Sequence, residues 1–161
     1  IEPGNIVHLD GSIVGKHNGI IDYTIGQRRG LGIGGRAGSG EERFYVININ
    51  ILKNEVIVGP KEALKVDEIF LNDLNWISKD VPLDHSVLVR LRNTGNIIPA
   101  KISISKDGLS INPEEPAEGV SPGQAAVIYD KNKSSKVLGG GWIVSTKSNL
   151  ISKYGVSSSA A

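Results

Sequence analysis

The sequence predicts a mainly β protein with little helix, in which a small β domain precedes an antiparallel β-barrel. Short runs rich in Val, Ile and Leu recur along the chain, and turn residues such as Asp-Gly and Asn-Gly separate them. No long stretch carries the 3.6-residue apolar period of an amphipathic helix. Several short strands at this spacing are typical of a small closed or nearly closed barrel.

The first β domain is predicted over residues 1–66. Asp10-Gly11 suits the type I′ turn of a hairpin, and Asn18-Gly19 marks a second turn. Pro60 is suited to begin one helical turn before the domain ends. The strands are predicted at the apolar runs 6–9, 12–14, 20–24, 43–49 and 55–58.

The barrel is predicted over residues 67–147. It begins with a transition at 67–77, in which Leu71, Leu74 and Trp76 are the expected packing anchors. The strands are predicted at residues 86–92, 100–105, 109–112, 125–129 and 137–144. In the first of these, Val87, Val89 and Leu91 point to one side while Leu88, Arg90 and Arg92 point to the other. Residues 148–161 turn Ser/Ala-rich, which predicts a disordered tail.

The charge balance excludes a strongly basic domain. Eighteen Lys and Arg residues face 17 Asp and Glu residues, for a formal net charge of +1. A strong non-specific nucleic-acid binder is normally more basic, so any RNA contact must come from a local patch. No run of 18 apolar residues predicts a membrane span.

The absence of cysteine removes disulfides, a thiol nucleophile and cysteine metal sites from consideration. It fits a reducing compartment, and we expect a cytoplasmic protein. The chain contains no methionine and opens on Ile1, so we expect it to be a piece of a longer protein.

Residues 24–35 hold one glutamine, two arginines and five glycines. Glycines at this density let a partner approach the main chain closely, and the arginines supply planar charged donors suited to phosphate. Residues 30–35 also satisfy G-x-G-x-x-G, but a dinucleotide site needs a helix directly after that motif. Residues 36–42 are Gly/Ser-rich and polar, so we reject a dinucleotide site.

Other candidate chemistry is weak. His8, His17 and His85 match no metal-binding spacing, so no metal site is predicted. No G-x-S-x-G nucleophile motif is present. Arg90 and Arg92 share one face of a strand, where they would form either a phosphate clamp or ordinary outward-facing charge, and the pattern alone does not choose.

Five motifs resemble the bacterial tRNA-specific 2-thiouridylases and occur in the same order as in that family. They are Y-T-I-G-Q-R-R-G-L-G-I-G-G at 23–35, V-G-P at 58–60, L-N-W at 74–76, G-V-S-P-G-Q-A-A-V at 119–127 and L-G-G-G-W-I at 138–143. The resemblance implies a central β domain and a C-terminal barrel, which follow an N-terminal ATP-pyrophosphatase domain in the family.

The resemblance also implies an activity for the full-length protein. Family members activate the C2 oxygen of a wobble uridine in tRNA as an adenylate, and a cysteine persulfide then delivers sulfur. ATP and Mg²⁺ would serve the full-length enzyme, while this chain would bind no cofactor and contain no catalytic residue. The expected partners are tRNA and a sulfur-donor relay protein, and the expected state is a monomer.

The site residues follow from the same resemblance. The tRNA-binding set is Arg90, Leu91, Arg92 and Gln124, and a loop near the active site is Gln27, Arg28 and Arg29. The family often has tyrosine at the position of Leu91; a tyrosine could stack on a base, whereas leucine can only pack.

Two other functions fit the same residues. One is a translation-factor-like β-barrel module that binds RNA or protein and has no enzymatic parent. The other is a nucleotide-binding enzyme that uses the glycine-rich loop, which would bind ATP or NAD saturably.

Overall fold

The computed structural model describes residues 2–33, 43–92, 95–152 and 158–159. The chain divides into two compact units, one made of residues 1–65 with 148–159 and the other of residues 66–147. No helix within the described ranges is long and apolar enough to cross a membrane. The predicted fold class is confirmed, because strands dominate both units and the second unit is a closed antiparallel barrel.

The first unit contains a four-stranded sheet with the strand order β2-β1-β4-β3. Strands β1 and β4 run parallel, and the other two pairs are antiparallel. The strands are β1 (Gly4–His8), β2 (Ile13–His17), β3 (Tyr45–Asn50) and β4 (Glu55–Gly59). Two 3-10 helices, Ile20–Asp22 and Lys61–Leu64, and the short helix α1 (Asn149–Ser152) complete the unit.

This sheet has an apolar cluster on each face. Val56 and Val58 point into one cluster with Ile6 and Val46, whereas Ile57 points into the other with Leu9 and Ile151. A strand buried on both faces needs a continuous apolar run rather than an alternating one. The unbroken run of valine and isoleucine in β4 therefore places it at the centre of the sheet.

The second unit is the barrel. Its strands are β5 (Lys65–Val66), β6 (Glu68–Trp76), β7 (Ser86–Arg90), β8 (Ile98–Ser105), β9 (Gly108–Pro113), β10 (Ala117–Glu118), β11 (Ala125–Asp130) and β12 (Val137–Lys147). A final short strand, β13 (Ser158–Ser159), falls within the residues of the first unit.

Six strands close the barrel in the order β11-β7-β8-β9-β6-β12, with β12 pairing back onto β11. Every pair in this ring is antiparallel. Inward-pointing side chains such as Val87, Val89, Ala126 and Ile128 fill the interior. The alternation that the sequence analysis identified in residues 86–92 therefore separates the core from the outer surface.

Three consecutive glycines in β12 let the neighbouring strands approach closely. A β-carbon on Gly140 would lie 2.5 Å from the Ala126 oxygen, and one on Gly141 would lie 2.7 Å from the Asn72 oxygen. Both distances are shorter than real contacts allow. The glycine run is thus a packing requirement where β12 joins β11 and β6.

Two predictions in the first unit are wrong in detail. The first hairpin has no type I′ turn, because only Gly11 has a positive φ there and the strands are separated by four residues. Leu9 turns into the core instead, and Asp10 accepts hydrogen bonds from the side chain and main chain of Ser12, which lower its pKa to about 2. The predicted strand at 20–24 is the 3-10 helix Ile20–Asp22.

Two further differences concern the second half of the chain. The predicted transition at 67–77 is the nine-residue strand β6, in which polar, exposed residues hid the strand pattern. The predicted disordered tail begins with an ordered segment: α1 forms at 149–152, and Ile151 is buried against Leu64 and its neighbours. An apolar pair, Leu150 and Ile151, anchors that helix. The remainder of the tail, apart from 158–159, lies outside the described residues.

Candidate nucleic-acid interface

The glycine-rich loop of the first unit is organised by Gln27. Its Oε1 accepts a hydrogen bond from the Thr24 N–H at 3.0 Å, and its Nε2 donates to the Arg29 oxygen at 2.9 Å. The Gln27 main chain also binds Val46 of β3, through its oxygen at 2.8 Å. Because both ends of the Gln27 amide are used inside the loop, this side chain fixes the loop rather than reaching out to a ligand.

Arg28 and Arg29 are exposed on the same loop. The chain is held on either side of them, by the Gln27 hydrogen bonds before and by buried Leu31 after. The two guanidinium groups therefore project from an anchored segment. Gly34 and Gly35, which complete the motif of the sequence analysis, lie outside the described residues.

Arg90, from the second predicted group, lies on the outer surface of three neighbouring barrel strands. Val127 of β11 pairs with Arg90 of β7 on one side and with Gly140 of β12 on the other, and Ala125 pairs with Trp142. Directly opposed residues point to the same side of a sheet. We call this surface the β7–β11–β12 face and define it by its outward side chains: Leu88, Arg90, Ala125, Val127, Tyr129 and Trp142.

Arg90 lies over an aromatic ring on this face. Its guanidinium carbon is 5.9 Å from the centre of the Tyr129 ring, a cation–π distance. Its Nε is buried and finds no hydrogen-bond acceptor among the residues that the structure describes. Stacking on tyrosine holds the guanidinium in one orientation without neutralising it, as a phosphate-binding arginine requires.

Arg92 lies two residues beyond the end of β7 and packs over Gly119. A β-carbon on Gly119 would be 2.6 Å from the Arg92 Nη1. Arg92 also lines a groove of about 470 Å³ together with Glu114, Glu115 and Glu118. Three carboxylates beside one guanidinium disfavour phosphate inside this groove, so Arg90 is better suited than Arg92 to bind a phosphate.

Leu91 and Gln124 differ in what they can offer a ligand. The Leu91 side chain is 5% exposed and belongs to the barrel core, so only its main chain is available. Gln124 is exposed at the start of β11, and its main-chain oxygen accepts a hydrogen bond from Ile143 at 2.8 Å. The barrel therefore brings Arg90, Arg92 and Gln124 onto one unit, while Gln27, Arg28 and Arg29 belong to the other.

Two residues of the β7–β11–β12 face were not singled out from the sequence. Tyr129 was placed only as the end of a strand, and Trp142 only as part of a family motif. The sequence does contain a pattern from which the exposure of Trp142 could be predicted. The next residue of the same strand, Ile143, is a core residue. Alternation from Ile143 would have put Trp142 outside.

The described histidines do not form a metal site. No group of three or more His, Asp or Glu side chains that could hold a metal occurs in the part of the chain that the structure describes. His17 is buried and its Nε2 lies 3.0 Å from the Asn54 oxygen, while the His85 Nδ1 lies 3.1 Å from the Ile102 oxygen. Both contacts are with main-chain oxygens and tie neighbouring segments together.

Comparison with known families defines the class of protein first. Residues 1–60 match the family described as the tRNA methyl transferase PRC-barrel domain. Residues 66–143 match the family described as the aminomethyltransferase beta-barrel domain. The two matches follow each other along the chain, and the second begins at residue 66, where the second compact unit begins.

Curated relatives then narrow the class. The chain is 44% identical over 155 residues to the tRNA-specific 2-thiouridylase MnmA of Maricaulis maris, covering 96% of this chain and 37% of that protein. It is 46% identical over 148 residues to the MnmA of Rhodospirillum centenum, and the match covers 89% of this chain and 37% of that protein. For the MnmA of Parvibaculum lavamentivorans the identity is 43% over 152 residues, and the match covers 91% of this chain and 38% of that protein.

The chain belongs to the tRNA-specific 2-thiouridylase family and corresponds to the C-terminal part of its members. It spans somewhat more than a third of the length of the relatives that it matches. The family resemblance of the five motifs is thereby confirmed. The relatives are named as enzymes, so a barrel module with no enzymatic parent gains no support.

Proposed function

We propose that this chain is the tRNA-binding part of an enzyme that replaces the C2 oxygen of a wobble uridine with sulfur. The observation that carries the proposal is the position of Arg90: it lies on the outer face of a closed barrel and is held by Tyr129. In a chain whose relatives are named for their action on tRNA, a cation held in this way is suited to a backbone phosphate.

The residues divide the work as follows. Arg90 binds a phosphate, Arg92 adds a second cation at the rim of its groove, and Gln124 supplies a polar contact from the start of β11. Leu91 contributes its main chain only, since its side chain is in the core. Arg28 and Arg29 act near the reacting uridine in the whole enzyme, on a loop that Gln27 holds in shape.

The chemistry itself belongs to the rest of the enzyme. The chain has no cysteine, so a persulfide donor must come from outside residues 1–161. ATP and Mg²⁺ serve the adenylation step there, and a relay protein delivers the sulfur. We place the enzyme in the cytoplasm as a monomer, with a central domain at 1–66 and a barrel domain at 67–147.

The contribution of this chain to the rate is positional. Holding a substrate so that one atom meets the reacting group can remove several kcal/mol of a barrier, on the order of 7–11 in favourable cases. Phosphate contacts fix the register and orientation of a nucleic acid without reading its sequence. The barrel would therefore orient the anticodon stem-loop while other residues choose the uridine.

Titration of a tRNA with the 161-residue chain, followed by fluorescence anisotropy at low salt, tests the proposal. Arg90→Ala should weaken binding about tenfold, the effect of losing one charge-assisted hydrogen bond. Arg92→Ala should weaken it less, because the neighbouring glutamates already offset that charge.

Lys106→Ala is the matched control. Lys106 is exposed in the turn between β8 and β9, so its loss removes the same charge from the same barrel, away from the β7–β11–β12 face. Equal losses for Arg90→Ala and Lys106→Ala would indicate a diffuse charge effect and contradict the proposal. Wild-type chain that binds no tRNA would contradict it outright.

A further inference from the structure

Trp142 is exposed in a position where tryptophan is normally covered. The chain has two tryptophans; Trp76 packs against the barrel core, whereas 53% of the Trp142 surface is exposed. Tryptophan is among the residues that proteins bury most on average, and when one face stays open at a surface it is commonly a contact residue. The exposure of Trp142 on the outside of a strand indicates that this side chain contacts a ligand.

We propose that Trp142 is a stacking platform for one unpaired base of the bound RNA. This inference rests on the proposed function and adds to it a residue and a kind of contact. Bases stack on aromatic side chains only where they are not already stacked in a duplex, so the site selects a single-stranded or splayed nucleotide.

The surroundings of Trp142 leave room for a flat ligand. Across the strands its partners are Ala125 of β11 and Asn72 of β6. Along β12, the preceding outward position is Gly140, which has no side chain. Small neighbours on these sides leave the indole ring accessible to a base.

Arg90 lies two strands away from the strand of Trp142, and Gln124 lies immediately before the neighbouring strand β11. Arg90 shares its cross-strand row with Val127 and Gly140, so it stands two strand spacings from β12, or about 10 Å. The Gln124 oxygen accepts the Ile143 N–H, which places the Gln124 main chain next to Trp142.

These three groups offer complementary contacts to one stretch of RNA. Arg90 binds a phosphate, Trp142 stacks a base, and the Gln124 amide can hydrogen-bond the edge of that base. Aromatic and arginine side chains also occur at protein–protein interfaces. The RNA is favoured here because the chain belongs to a family named for its action on tRNA and because Arg90 forms no ion pair with a carboxylate among the residues that the structure describes.

Intrinsic fluorescence can report on Trp142 directly. In the Trp76→Phe chain, Trp142 is the only tryptophan, and a base stacked on it should quench its emission. The probes are an RNA hairpin with an unpaired loop and a blunt RNA duplex with the same stem. We expect saturable quenching by the hairpin, with the same midpoint as its anisotropy titration, and no quenching by the duplex.

Substitutions at Trp142 supply a measurement that does not depend on the Trp76→Phe chain. Trp142→Ala should weaken hairpin binding at least about fivefold, the loss expected for one stacked base, and leave duplex binding unchanged. Trp142→Phe should keep most of the affinity because phenylalanine can also stack. The emission difference between the wild-type and Trp142→Phe chains isolates the Trp142 signal if Trp76→Phe does not fold.

The outcomes separate this inference from the proposed function. If the hairpin binds but Trp142 emission does not change and Trp142→Ala binds as tightly as wild type, stacking is overturned while tRNA binding stands. Equal weakening of hairpin and duplex binding by Trp142→Ala also overturns stacking. Emission that changes with protein concentration alone assigns Trp142 to self-association. If neither RNA binds the wild-type chain, the proposed function fails as well.

Discussion

The guanidinium of Arg90 and the ring of Tyr129 show how one side chain prepares another for a ligand. The cation–π contact limits the rotamers that Arg90 can adopt, so less conformational entropy is lost when a phosphate binds. Because the Nε is buried, a phosphate would have to be bound by the two terminal nitrogens. Arg90 is therefore suited to bind two oxygens of a single phosphate group.

Gly119 supports the other arginine, and its replacement is a prediction about single residues. Its φ of +73° is a conformation that residues with a β-carbon adopt at a cost, and Arg92 fills the space where that carbon would stand. Gly119→Ala should lower the free energy of unfolding by about 1 kcal/mol and displace the Arg92 side chain. Chemical denaturation measures the stability.

Gly123→Ala is the comparison for that experiment. Gly123 has a φ of +89°, and nothing lies within 4 Å of the position of its β-carbon. The backbone cost should thus be similar, while no side chain has to move. A Gly119→Ala chain that is more than about 2 kcal/mol less stable than Gly123→Ala would mean that Arg92 cannot be displaced as we expect.

The orientation of some individual side chains of the site can be predicted from the sequence alone. Alternation in 86–92 correctly separated outward Arg90 from buried Leu91, because the period of a strand is fixed by its backbone. The internal hydrogen bonds of Gln27 could not be foreseen, since they depend on how a glycine-rich loop bends. The partnership of Arg90 with Tyr129 requires the register of β7 against β11, which no local pattern contains.

Among the elements, β12 is the one on which barrel closure depends. It pairs with β6 on one side and β11 on the other, and its glycines lie where those strands come closest. A side chain there would push two backbones apart. The same strand also carries Trp142, so closure and the proposed stacking position share one element.

Gly140→Ala tests this role of β12. Its β-carbon would lie 2.5 Å from a main-chain oxygen, which cannot rotate away as a flexible side chain would. We expect the free energy of unfolding to fall by about 1–3 kcal/mol, the usual cost of overpacking. Thermal or urea denaturation of the chain provides the measurement.

The control is Gly95→Ala in the same unit. The nearest atom to its β-carbon position is 3.4 Å away, an ordinary contact, so the change in stability should stay within about 0.5 kcal/mol. Equal stability of the two variants would show that β12 can shift to accept a methyl group. The close approach would then not explain the glycine run.

Elements were predicted best where the apolar pattern was unambiguous. Strands β3, β4, β7 and β11 were recovered to within about two residues, which is the usual disagreement at strand ends. Strand β6 was missed because its outer side carries polar residues and Asp73 adopts a positive φ of 48° where the register with β12 shifts. A barrel strand with an irregularity of this kind lacks the simple alternation on which the prediction relied.

For the whole molecule, the near balance of charge limits how RNA would be held under the proposed function. With a formal net charge of +1, long-range attraction is weak, and the proposed RNA binding would depend on a few placed cations. This distinguishes the chain from basic proteins that bind any nucleic acid along a charged surface. Its affinity should therefore respond only modestly to salt.

The salt dependence of tRNA binding measures the number of phosphates that are neutralised. Two arginine contacts predict a slope of log K against log salt between about −1 and −2, at roughly −0.7 to −0.9 for each phosphate. Arg90→Ala should make the slope shallower by roughly 0.7 to 0.9, the share of one phosphate contact. Lys106→Ala should leave the slope unchanged. A wild-type slope steeper than about −4 would require many more cations than Arg90 and Arg92.

The ring of six strands has one further consequence. Every strand in it has a hydrogen-bonded neighbour on both sides, and Trp142 itself is paired with Ala125 of β11 and with Asn72 of β6. Unpaired edges are the usual starting points for amyloid-like aggregation and for recognition by strand addition. Trp142 therefore lies in a stretch of main chain that is paired on both sides, so a partner that contacts this position must recognise the side chain rather than add a strand there.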